Sequence, residues 1–244
     1  MEKVYKKIEY NQFNQPVGSF VDERVEFSFD TKTLYGSSVT LYVLNEQEKR
    51  PALWKSKIWK TVSTEQDLSC WTYLPYLGFT SEKELVENIE RNFNFQGTTH
   101  YLIEMSGDIV GWIALMNQRT DHRVVEIGNV YFSHLMKRSK AATEVIYLLL
   151  KTCFEQGFRR VEWKCDDLNV PSKKAALRFG FCFEGIFRQD RISKGRNRNT
   201  AWFSILDEEW IALKKAYEAW LSADNFDEKN AQKVRLEEFK RQYT

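Results

Sequence analysis

Four consecutive runs decide the fold: VVEIGNVYF (Val124–Phe132), SHLMKRSK (Ser133–Lys140), AATEVIYLLLKTCFEQ (Ala141–Gln156) and, after Gly157 and Phe158, RRVEWKC (Arg159–Cys165). The first is rich in β-branched and aromatic residues and reads as a strand. The second is polar and basic, a loop. The third changes period: Val145, Leu148, Leu149 and Cys153 share one helical face, and Gly157 stands where a left-handed helix cap belongs. The fourth is a strand again. A strand–helix–strand step of this length joins parallel neighbours. A helix start offers unpaired backbone N–H groups and the positive end of the helix dipole, which suits a pyrophosphate. Lys137, Arg138 and Lys140 crowd that turn. A solvated helix end would account for the same residues.

Working outward, Tyr101–Met105 and Ile109–Met116 read as two strands joined by Ser106-Gly107-Asp108, a hairpin signal. With the Val124 strand, reached through the polar turn Arg119–Arg123, they make an antiparallel meander. Before them, Ser81-x-x-Glu84 is a capping box, followed by Leu85, Ile89 and Phe93 at helical spacing. Glu46–Val62 reads as a helix with Pro51 in its first turn, and Val39–Leu44 as the first central strand. LSCWTYLPYLGF (Leu68–Phe79) is apolar, but Pro75 and Gly78 make it a loop. Downstream come a short helix, Ser172–Phe179, ending at Gly180, and a hairpin of Phe181–Ile192 and Thr200–Leu206 around Lys194–Asn197. Asp207 then caps a helix to about Leu221. The expectation is an α+β fold: a mostly antiparallel sheet containing one parallel step, with helices on both faces. One domain spans 39–221. Residues 1–38 form an irregular extension packed on it, with turns at Asn14–Gly18 and Tyr35–Ser37. The charged tail, 222–244, is read as one solvated helix.

Composition excludes several classes. Thirty-six basic against thirty-four acidic residues leave a net charge of +2, far from the basic excess of a dedicated nucleic-acid binder. No apolar run reaches membrane-spanning length, and the charged first ten residues lack the apolar core of a secretory signal. Cys70, Cys153, Cys165 and Cys182 are scattered and the three His are isolated, a poor inventory for a metal. Buried reduced thiols in a cytoplasmic protein are expected. Aromatics reach 15%, enough to line both a core and a pocket.

Asn169-Val170-Pro171-Ser172 follows the RVEWKCD strand and precedes AALRFGF. Asn169 is placed to bond an extended ligand and Ser172 to cap the next helix; capping alone accounts for both. Together with Glu126-Ile127-Gly128, the loop–helix Lys137–Glu144, Arg160-Val161-Glu162, Gly180-Phe181 and Glu184-Gly185, these residues resemble the GNAT acetyltransferase superfamily. The phrases VEWKCDDLN, FEGIFR and GRNRNTAWFSILDEEW, with NQPVG and WTYLP, are similar to an uncharacterised subgroup of its RimJ/RimL-type branch, the ribosomal-protein N-terminal acetyltransferases. The likeness runs from about Asn11 to Leu221.

The resemblance implies the GNAT acyl-CoA N-acyltransferase fold, with acetyl-CoA seated where two parallel strands splay apart. Its pantetheine then pairs with the backbone around Val130, Tyr131 and Phe132, and its pyrophosphate meets Lys137, Arg138, Ser139, Lys140, Ala141 and Ala142. The family's central loop glycine is Lys140 here. Glycine permits close backbone approach; lysine substitutes charge for that approach or loosens the grip. Asn169 matches the family's pantetheine-binding asparagine. Ser172 matches a serine near the sulfur, placed to protonate the thiolate. Glu126 is the candidate base, acting through water, with a carboxylate paired to Arg123 or a neighbour as the alternative; Glu184 is a second candidate. Trp71 and Tyr73 either wall the acceptor cleft or fill the core. Arg196 and Arg198 lie at a hairpin tip.

The implied reaction is acetyl transfer from acetyl-CoA to an amine. Deprotonating a lysine at pH 7 costs roughly 4–5 kcal/mol, and an α-amine about 1 kcal/mol, so a protein N-terminus is the preferred acceptor where no dedicated base stands out. A small-molecule amine, or a non-catalytic acyl-CoA- or partner-binding role, remains open. A homodimer is compatible with this reading, and RNA is not an expected main partner.

Overall fold

The computed structural model describes residues 8–21, 29–44, 50–93 and 97–243. β1 (Ile8–Tyr10) and β2 (Pro16–Gly18) pair as a separate antiparallel hairpin. Asn11 closes its turn by accepting from the backbone N–H groups of Phe13 and Gln15. The NQPVG turn, expected within an irregular stretch, therefore builds a hairpin. β3 (Leu34–Tyr35) and β4 (Thr40–Val43) open the main sheet. There follow α1 (Trp54–Ser63), α2 (Glu82–Asn92), β5 (Thr99–Met105), β6 (Asp108–Arg119), β7 (Val124–Phe132), α3 (Lys140–Glu155), β8 (Arg160–Asp166), α4 (Val170–Arg178), β9 (Cys182–Ser193), β10 (Arg196–Leu206), α5 (Asp207–Leu221) and α6 (Leu236–Tyr243).

The main sheet runs β3-β4-β5-β6-β7-β8-β10-β9, and only β7 with β8 is parallel. Ser106 and Gly107 both take positive φ, 54° and 86°, as a two-residue hairpin turn demands. Ser81 caps α2 by accepting from the Glu84 N–H, while the Glu84 carboxylate bonds Thr80, one residue earlier than a capping box places it. α1 begins later than expected. Leu53 adopts a left-handed conformation (φ 60°) that breaks the helix before Trp54, so Pro51 lies outside it; residues 46–49 of the expected helix lie outside the described residues. Asp207 is the first residue of α5 rather than its cap. The Leu206 N–H is satisfied instead by the Glu209 carboxylate.

Two apolar clusters sandwich the sheet. On one face α3, α4 and α5 bury Val125, Ile127, Val161 and Trp163 against Val145, Leu149 and Tyr217. On the other, α1, α2 and the 68–79 loop bury Leu102, Trp112 and Tyr131 against Ile58, Leu85 and Trp71. Among the described residues none of β8, β9 or β10 belongs to this second cluster, and on that face Glu162, Thr200 and Ser204 are buried polar groups instead.

Both ends are tied to the first face. The Glu144 carboxylate, buried on α3, accepts from the backbone N–H groups and hydroxyls of Ser37 and Ser38. The C-terminal segment is not one solvated helix. It makes a turn at Ala223–Asn225, a bridge between Phe226 and Gln232, and then α6. Leu236 is fully buried, and Asn225 donates to the carbonyls of Trp220 and Val234. Its charges had masked the apolar residues Phe226, Leu236 and Phe239 that fold it back.

Candidate active site

β7 and β8 are hydrogen-bonded only from Val124–Ile127 to Arg160–Trp163. Beyond that point β7 keeps β6 as its partner up to Phe132, while β8 pairs only with β10. The parallel pair thus opens at Gly128. On the same stretch β7 carries a bulge: Tyr131 and Gly128 face Trp112 and Ala114, one residue too many on β7, and Asn129 takes φ 46°. Gly111 lets β6 close on this bulge, because a Cβ there would stand 2.2 Å from the Tyr131 carbonyl oxygen.

A hydrogen-bond chain beneath the sheet holds the bulge in place. Trp112 Nε1–H donates to Tyr76 Oη (2.9 Å), Tyr76 O–H to Asn129 Oδ1 (2.8 Å), Asn129 Nδ2–H to His100 Nε2 (2.9 Å), and His100 Nδ1–H to the Phe93 carbonyl (2.8 Å). Every polar atom is used in one direction, which requires a neutral imidazole. Burial agrees, pushing the His100 pKa down to about 4. Asn129 and Tyr76 were not singled out from the sequence. An asparagine inside a β-rich run is a bulge signal that would have found the first.

At the phosphate end, Ser139 caps α3 by accepting from the Ala142 N–H, and Arg138 precedes it in a left-handed conformation (φ 62°). The first N–H groups of α3, those of Lys140 and Ala141, have no partner inside the helix. Two of the three expected cations turn elsewhere. Lys137 Nζ lies 3.8 Å from buried Glu65, whose other oxygen accepts from the His134 N–H and Tyr131 O–H. Lys140 Nζ sits 4.4 Å over the Phe226 ring of the C-terminal segment. Ser133, between β7 and this loop, is fully buried with an unpartnered hydroxyl.

On the face of β8 and β10 that turns away from α3 and α5, acids and bases interlock. Lys164 Nζ lies 2.9 Å from Glu126 Oε2, 2.8 Å from Glu162 Oε2 and 3.9 Å over the Trp202 ring. Asn117 also donates to Glu126 Oε2, so the partners of Glu126 are Lys164 and Asn117 rather than Arg123. Its Oε1 lies over Gly128, where a Cβ would approach it to 3.2 Å, and so faces the point where the strands part. Glu162 also takes Arg119 and Arg160. Burial would raise its pKa, but the hydrogen bonds from Lys164 and Arg160 hold it below the usual carboxylate range. Glu184 is clasped by both ends of the Arg160 guanidinium and by Ser204, and Arg160 holds it low as well. The alternation Glu162-Trp163-Lys164-Cys165-Asp166 was the available signal. It sets three charges on one face of a strand that the crossover places inside the sheet.

Asn169 is the N-cap of α4, its Oδ1 accepting from the Ser172 N–H. The Ser172 hydroxyl accepts from Trp163 Nε1–H at 3.0 Å, which leaves its own proton to donate. Trp71 is core, stacked 4.7 Å from Tyr131. Tyr73 instead reaches the cleft rim, donating its hydroxyl proton to the Leu168 carbonyl just after β8. Lys194, at the β9–β10 turn, donates to the carbonyls of Trp71 and Thr72. The 71–73 segment therefore crosses the end of the β8–β10 pair and is tied at both sides. Two surface hollows, about 350 Å³ beside Tyr76–Phe79 and about 380 Å³ between α5 and the C-terminal segment, lie away from this cleft.

A model of the acetyltransferase (GNAT) family matches residues 65–181. A solved GCN5-related N-acetyltransferase from Brucella melitensis is 39% identical, with a TM-score of 0.81, and the likeness covers 87% of this chain and 95% of that one. A solved probable acetyltransferase (GNAT family) from Chromobacterium violaceum is 33% identical, with a TM-score of 0.72 over 81% of this chain and 98% of that one. The microcin C7 self-immunity acetyltransferase MccE, solved with acetyl-CoA and AMP, shares the fold at 19% identity, with a TM-score of 0.59 over 70% of this chain and 93% of its own. No curated protein matches the chain.

Proposed function

We propose a specific reaction for this chain, which belongs to the GNAT family of acetyltransferases and is an acetyl-CoA-dependent N-acetyltransferase: transfer of the acetyl group to an α-amine, that of a protein or peptide N-terminus, by direct attack within a ternary complex. The supporting observation is the opening of β7 from β8 after Ile127–Trp163, with the start of α3 at its far end. Backbone N–H and C=O groups of Val130–Phe132 border that opening and suit an extended amide-bearing arm. The unpartnered Ser133 hydroxyl and the first N–H groups of α3 suit its pyrophosphate. Lys140 leans on Phe226, so charge from that side chain is not needed to explain the grip.

In this reading the amine nitrogen forms a bond to the thioester carbon, the C–S bond breaks, and one proton leaves the nitrogen while one reaches the sulfur. Glu126 Oε1 takes the first proton through water, and the Ser172 hydroxyl supplies the second. An N–H at the Asn129 bulge polarises the carbonyl. Alignment of amine and thioester supplies most of the acceleration. The RimJ/RimL-type branch and a cytoplasmic setting belong to the same proposal, resting on the sequence phrases quoted above. The test is thiol release from acetyl-CoA with a panel of free-N-terminal peptides, lysine-only peptides and small amines. Preference for lysine-only peptides would reject the α-amine, and absence of acetyl-CoA binding by calorimetry would reject the whole reading.

A further inference from the structure

Three side chains at successive same-face positions of β10 hold a buried polar atom with no hydrogen-bond partner among the described residues: Arg198 Nε, Thr200 Oγ1 and Trp202 Nε1. Thr200 is only 1% exposed. Buried donors left unmade are destabilising and uncommon in native structures, so three along one strand call for an explanation. They lie on the sheet face that carries the charged cluster of Glu126, Glu162 and Lys164. Trp202 is opposite Lys164 and Thr200 opposite Asp166 on β8. The strip runs toward the end of β8–β10 that the 71–73 segment crosses.

The chemistry of the strip is one-sided. Arginine Nε–H and tryptophan Nε1–H can only donate, and the threonine hydroxyl can donate. Same-face positions along a strand repeat every ~6.7 Å. An extended peptide repeats its like-facing carbonyl oxygens at the same interval. A polyamine or aminosugar amine offers no such series of oxygens. Phe187, half-exposed on the edge strand β9, packs its ring 4.5 Å from that of Trp202 and forms a displaceable cover.

We infer that Arg198, Thr200 and Trp202 form the acceptor-recognition strip: it takes an amine-bearing molecule whose following atoms present backbone oxygens at peptide spacing, with Phe187 moving aside as it docks. This rests on the acetyltransferase reading for the identity of the site, but its test does not require turnover.

The probe is trialanine amide, titrated by calorimetry into the full chain saturated with CoA, against an analogue in which the two internal carbonyls are reduced to methylenes. Free alanine and spermidine form the other arms, the first separating a lone carboxylate from a series of carbonyls. The expected result is binding of trialanine amide about tenfold or more tighter than of the reduced analogue, alanine or spermidine. Thr200→Val should weaken the tripeptide about five- to tenfold, as one lost hydrogen bond predicts, and narrow its advantage over the analogue. Because it removes an orphaned hydroxyl, the same substitution should leave the melting temperature unchanged or raised, which separates recognition from folding. Trp202→Phe should act in the same direction. Equal binding of tripeptide and reduced analogue, no tripeptide binding, or an unaffected Thr200→Val variant would each overturn the strip. Thiol release measured in parallel judges the acetyltransferase reading separately.

Discussion

Replacing Lys164 by Met tests the coupling at the heart of the cleft. The Lys164 and Glu126 side chains are each only 8% exposed, and the Glu162 side chain 2%. Removing the ammonium strands two carboxylates unequally. Glu162 keeps Arg119 and Arg160, whereas Glu126 keeps only the neutral amide of Asn117. Coulomb attraction at 2.9 Å with an effective dielectric of 20 is about 6 kcal/mol, much of it offset by the desolvation of both groups. Deleting one partner of a buried pair costs about 3–5 kcal/mol, and the lower figure is expected because Glu162 stays paired. Denaturant unfolding should therefore show a loss of about 3 kcal/mol, and kcat/KM for acetyl transfer should fall because Glu126 loses the ammonium that orients it. Adding Glu126→Gln should restore part of the stability, since a neutral amide needs no counter-ion. If Lys164→Met destabilises the chain while kcat/KM for acetyl transfer is unchanged, the Glu126–Lys164 pair plays no part in the reaction. If neither quantity changes, the ion pair itself carries no weight.

Asn129→Ala should cost about 2–4 kcal/mol, because it leaves the Tyr76 hydroxyl proton without its acceptor and His100 Nε2 without its donor; urea unfolding measures this, and a rise in KM for acetyl-CoA should accompany it as the bulge relaxes. His100 gives stability a pH dependence of known sign. The unfolded chain takes up a proton below about 6.5 and the folded chain only near 4, so stability falls as pH drops through that window, by about 3 kcal/mol. Unfolding curves at pH 7 and pH 4 should show it, and His100→Gln should flatten the slope between pH 6.5 and 5. Ser172→Ala should lower kcat about tenfold with little change in KM for acetyl-CoA, read from steady-state thiol release; a thiolate is a good leaving group, so the loss stays at or below the low end of general-acid effects.

The residues around the crossover declared themselves clearly. Val124–Phe132 holds the expected bounds, and the turn at Ser106-Gly107 closes as read, because local propensity and tertiary placement agree there. The hairpin near the N-terminus and the folded C-terminal segment were missed for a common reason. Both are short and polar; the hairpin is closed by the Asn11 turn, while the C-terminal segment relies on residues far away in sequence, such as Lys140 against Phe226. The site divides along the same line. The cap of α4 is Asn169 and not Ser172, which lies inside the helix, whereas the α3 start follows from local spacing. The partners of Glu126 do not, since Asn117 and Lys164 reach it from different strands and only the sheet order brings them together. Trp71 and Tyr73 were indistinguishable as aromatic loop residues. What separates them is that one ring has Tyr131 to stack on while the other extends to Leu168.

The clasp between Glu144 and the Ser37–Ser38 turn bears on how this family member can be shortened. Glu144 lies one helical turn from the entry of α3, on the rod that would face the nucleotide, and it draws four hydrogen bonds from the turn between β3 and β4 at the edge of the sheet. A version of the chain that begins after position 38 would carry an anion with no counterpart inside its own nucleotide-facing helix. Because the same cut removes β3 and the core residue Leu34, it should be felt both as lost stability and, through the stranded Glu144, at the start of α3.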